Sequence, residues 1–71
     1  MANIEITFYG SSQEDYQSNL VCYKNNKNEI YIRIKNINND EFEFITLDKS
    51  TAIKLAKTLR TEINKMEVDN V

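Results

Sequence analysis

Apolar and polar positions alternate along the first two thirds of the chain and recur with a helical spacing after Asp48. Ile4, Ile6 and Phe8 alternate with Glu5, Thr7 and Tyr9, the period-two pattern of a strand with one buried face. Gly10 to Ser18 is polar and turn-prone, with Ser11 three positions before Glu14 as in a capping box; it predicts a loop with room for one helical turn. A second strand is expected at Asn19 to Lys24 and a third at Glu29 to Lys35. Between them Asn25-Asn26-Lys27-Asn28 reads as a hairpin connection, because Asn tolerates the left-handed backbone that tight turns need. The third strand is the clearest, with Ile30, Ile32 and Ile34 on one face and Tyr31, Arg33 and Lys35 on the other. After a turn at Asn36 to Asp40, Glu41 to Leu47 predicts a fourth strand. Phe42 and Phe44 lie on one side of it and Ile45 and Leu47 on the other, so both sides are expected to be covered.

Asp48 reads as a helix N-cap, with Leu47 and Ala52 placed to form a hydrophobic staple. The helix should run from Lys49 to about Glu67. Steps of about 100° put Ala52, Leu55, Ala56, Leu59, Ile63 and Met66 in one apolar stripe, the footprint of a helix packed on a sheet. The expected fold is α+β, a four-stranded antiparallel sheet followed by one C-terminal helix packed on one face. Leu55, Leu59 and Ile63 are expected to lie against Ile4, Ile6, Ile30 and Ile32.

Composition narrows the function more than it changes the fold. A chain of 71 residues, 41% hydrophobic and 28% charged, builds one small globular domain, residues 1–71, with no repeat or linker. It has no apolar run long enough to span a membrane and its opening lacks a basic, then hydrophobic, leader pattern, so a cytoplasmic protein without membrane attachment is expected. The single cysteine, Cys22, cannot form an internal disulfide and alternates with Leu20 as a small apolar strand residue. With no His and one Gly, the chain lacks imidazole-based nucleophile arrangements, the common zinc ligand sets and glycine-rich phosphate loops. No catalytic, cofactor or metal residues are assigned, and the expectation is a protein that is not an enzyme. Asn36 to Glu41 offers alternate oxygen ligands but lacks the glycine and distal Glu of a calcium loop, and reads as an Asn-rich turn. Glu41 and Glu43 share a strand face without a companion base and read as surface charge.

Charge is unevenly divided: residues 1–48 carry net −4 and residues 49–71 net +2, within a total of −2. The outward helix residues Lys54, Lys57 and Lys65 therefore form a candidate contact for phosphates or an acidic protein, although an outward lysine face is also what keeps a helix hydrated. The second candidate is on the sheet. Tyr31, Arg33 and Lys35 share a face that Tyr23 joins if the hairpin register allows, with Phe42 and Phe44 as further candidates. Rings interleaved with cations serve single-strand nucleic-acid platforms and protein interfaces alike. The net charge of −2 favours a protein partner. The expected function is a small protein-binding inhibitor or regulator, with self-association into a homodimer as one outcome and a nucleic-acid-binding regulator as the alternative. An excess of Asn, Ile and Lys, residues with A/T-rich codons, points to an AT-rich bacterial or phage gene. In size, composition and lack of catalytic residues the chain resembles in type the small phage anti-defence proteins, the anti-CRISPR kind among them. No motif carries that resemblance, and it transfers no residue.

Overall fold

A computed structural model describes residues 5–11, 18–36, 38 and 41–67. The elements are β1 (Ile6–Tyr9), β2 (Ser18–Lys24), β3 (Ile30–Asn36), β4 (Phe42–Leu47) and α1 (Lys49–Lys65). The strands form one antiparallel sheet in the order β1-β2-β3-β4, so each strand pairs with its neighbours in sequence. This is the expected α+β architecture. Ile4 and the suggested helical turn before β2 lie outside the described residues.

The register gives the sheet two unlike faces, because paired residues point to the same side and successive residues alternate. One face holds the row Ile6, Cys22, Ile32 and Ile45 and the row Phe8, Leu20, Ile34 and Glu43, with Lys24, Ile30 and Leu47 at its end. We call it the isoleucine face. The other holds Thr7, Val21, Arg33 and Phe44, then Tyr9, Asn19, Lys35 and Phe42, then Tyr23, Tyr31 and Thr46. This is the aromatic face. Val21, at 3% exposure, is the one buried apolar residue among those described, and it lies on the aromatic face.

The hairpin between β2 and β3 is built from asparagine chemistry. The Asn25 side-chain oxygen accepts from the amides of Lys27 and Glu29 at 3.0 and 2.9 Å, while its amide nitrogen donates to a Glu29 carboxylate oxygen at 3.1 Å. Asn28 adopts φ 62°, a left-handed conformation that a β-branched residue resists. Asn28→Gly should leave stability nearly unchanged, and Asn28→Val should lower it by about 1–2 kcal/mol. Urea unfolding of both variants at one protein concentration checks this, and equal losses would mean that the turn adopts another backbone.

The helix begins where expected. Asp48 accepts a hydrogen bond from the Thr51 amide at 2.8 Å, and the Thr51 side chain and this amide together hold its carboxyl below the usual 3.8. Because the folded value lies below the unfolded one, the cap's contribution is complete above pH 3.8 and fades as pH falls through the lowered folded value. Asp48→Asn keeps an acceptor without the titration. Helical ellipticity of the two proteins should therefore diverge only on the acid side, and superimposable pH profiles would contradict the assignment.

The packing of the helix differs from the expectation. Its first turns lie at the end of the sheet, where Ala52, Ile53 and Ala56 line one cleft together with Lys24, Glu29 and Ile30. Leu55, Leu59 and Ile63 are about half exposed, as are Ile6 and Ile45, and α1 contains no buried residue. The stripe follows the helical period, but within one chain it does not lie against Ile6 and Ile32. Periodicity identifies which side of a helix is apolar and not what covers it. Among the described residues no helix is long and apolar enough to cross a membrane.

Candidate functional site

The hairpin register decides the composition of the aromatic face. Asn25 N–H donates to the Glu29 carbonyl at 2.8 Å and closes the turn, which sets Tyr23 directly opposite Tyr31, with ring centroids 5.1 Å apart. The turn before β4 closes through Asn36 N–H and the Glu41 carbonyl at 2.9 Å, which turns Phe42 and Phe44 to the same side. Phe44 then stacks beside Tyr31 at 5.4 Å and 28°, and Phe42 follows at 6.4 Å. Four rings thus form a continuous row across three strands, with Tyr9 at the β1 edge of the same face. Among the described residues, five of the six aromatic side chains lie here, and Phe8 alone lies on the isoleucine face.

Cations are set into this row. The Arg33 guanidinium carbon lies 5.9 Å from the Phe42 ring centroid, within cation–π range. Lys35 pairs with Phe42 on one side and Asn19 on the other. Arg33 Nε and Asn19 Oδ1 are buried and have no hydrogen-bond partner among the described residues. Such groups are costly when unpaired. The only carboxylate within the four strands, Glu43, points to the opposite face. The strand positions of the aromatic face therefore carry two cations and no carboxylate, with Glu5 next along the β1 edge, in a chain whose total charge is −2.

Tyr23, Tyr31, Arg33 and Lys35 are thus brought together. Lys54, Lys57 and Lys65 are exposed on α1, whose first turns lie at the end of the sheet, and form a separate surface. Lys65 pairs with Glu62 at 2.8 Å, a bond that moderates the charge of the last turn. Phe44, Phe42 and Tyr9 enlarge the site beyond its first four residues. The signal for the two phenylalanines was present in the alternation of β4, whose side chains could be assigned to a face only once the turn before it was known. Cys22, half-buried between Ile6 and Ile32, belongs to the isoleucine face and not to this site.

No known protein family matches the chain, and no curated protein or solved structure is significantly similar to it.

Proposed function

We propose that this chain is a non-enzymatic binding module whose aromatic face holds a single-stranded nucleic acid. The observation that carries the reading is the coincidence of five rings, Arg33 and Lys35 on one sheet face whose strand positions contain no carboxylate. Bases of any identity stack on aromatic rings, and Arg and Lys meet the backbone between them, so such a face binds with little sequence preference. The negative total charge does not oppose this strongly. At physiological salt a charge is screened over about 8 Å, and Glu43 acts from the far side of the sheet.

Two cations on the face limit the phosphate contribution. Log affinity should fall with log salt with a slope of about 1.4, or about 0.7 per phosphate contact on a single strand. Arg33→Gln should reduce the slope by about 0.7, whereas replacing Lys54, Lys57 and Lys65 with Gln should leave it unchanged. Fluorescence anisotropy of a labelled oligothymidylate across a salt series measures both. A slope that drops only in the triple lysine variant would transfer the site to the helix.

The second reading is a protein-binding inhibitor or regulator, of the kind that phages use against host defences. It is favoured by the half-buried Tyr23 and Tyr31 beside Arg33, since Tyr and Arg are the usual interface anchors. It is favoured also by the net −4 of residues 1–48, which disfavours phosphate at low salt, where screening is weak. Absence of oligonucleotide binding even at low salt would select this reading.

A further inference from the structure

Among the described residues, much of the isoleucine face and of the helix stripe is left uncovered. Ile6, Phe8, Ile34 and Ile45 on the sheet, and Leu55, Leu59, Ile63 and Met66 on the helix, are each about half exposed or more. The chain exposes 6589 Å², against about 4,600 Å² for a compact monomer of this mass. Its radius of gyration is 14.3 Å, where about 11 Å is usual for this length. The excess over a compact monomer is roughly 2,000 Å² per chain, and the half-exposed apolar side chains supply a part of it.

We propose that a second copy of this chain covers both surfaces, in a two-fold homodimer whose interface combines the isoleucine face with the α1 stripe. If two copies each bury half of that excess, the interface totals roughly 2,000 Å², enough for a stable homodimer. Dimensions agree. The stripe from Leu55 to Met66 is about 16 Å long at 1.5 Å per residue, and strands of β2 and β3 length run about 23 Å. A two-fold axis sets each helix stripe against the other copy's isoleucine face and so uses the same pair of surfaces twice. This inference is independent of what the aromatic face binds, since the dimer leaves that face outward on each copy.

Sedimentation equilibrium of the full chain at about 20 μM should give about 17 kDa, twice the 8.3 kDa of one chain. Leu59→Lys and Ile34→Lys each put an unpaired charge into the interface and should weaken association roughly 100-fold or more. Arg33→Ala, on the opposite face, should remain dimeric. Because dimerisation completes the core, either lysine variant can also lose its fold; the wild-type mass and the concentration dependence of its melting temperature then decide. A wild-type mass of 8.3 kDa, a melting temperature independent of concentration, or a Leu59→Lys variant that stays dimeric would overturn the proposal.

Discussion

Replacing Tyr31 and Phe44 together with leucine is expected to weaken single-strand binding by about 2–6 kcal/mol, because stacking contributes about 1–3 kcal/mol per base. Leucine is the informative substitute. Val21, the buried residue of that face, shares a cross-strand row with Phe44, and alanine would take more apolar surface from that row. Leucine keeps an apolar cover while removing the π surface, so lost affinity is separated from lost stability. The same pair of changes should leave the oligomeric state and urea midpoint close to wild type. If affinity were unchanged, the rings would be packing residues and nothing more.

The second large effect concerns stability. Few of the described residues are shielded within one chain, so a protomer has little core of its own, and folding and association should be a single step. Raising protein concentration 100-fold then adds about 2.7 kcal/mol of stability. With about 0.7 kcal/mol of unfolding enthalpy per residue over two chains, the melting temperature should rise by about 10 °C. Thermal unfolding followed by circular dichroism at two such concentrations measures the shift. A rise of about 1 °C or less would mean that one chain folds alone and that the isoleucine face is open in solution.

How much of this was legible in the residues depended on whether a feature was local. The alternation of Ile30, Ile32 and Ile34 identifies β3, and the asparagines after Lys24 identify its hairpin, because both arise from backbone preferences of neighbouring residues. Asp48 identifies the start of α1 for the same reason. The face of Phe42 and Phe44 was not fixed by β4 itself, since that strand is apolar on both sides; the pairing of Arg33 with Phe44 fixes it. Leu55, Leu59 and Ile63 were legible as an apolar stripe, and their half-exposure among the described residues was not. A helical period is the same whether its cover comes from the same chain or from another copy. The net charge of −2 averages over two faces that the register keeps apart, so by itself it does not decide between ligands.

The most direct test of the aromatic face as the binding surface is a nuclear magnetic resonance titration with unlabelled oligothymidylate, following ring protons and amides together. Stacked bases should shift the ring protons of Tyr23, Tyr31, Phe42 and Phe44 and the Arg33 Nε proton. The amides of Lys54, Lys57 and Lys65, and the methyl groups of Ile6 and Ile45, should stay in place. Shifts confined to the helix lysines, or an unperturbed spectrum at millimolar oligonucleotide, would contradict it.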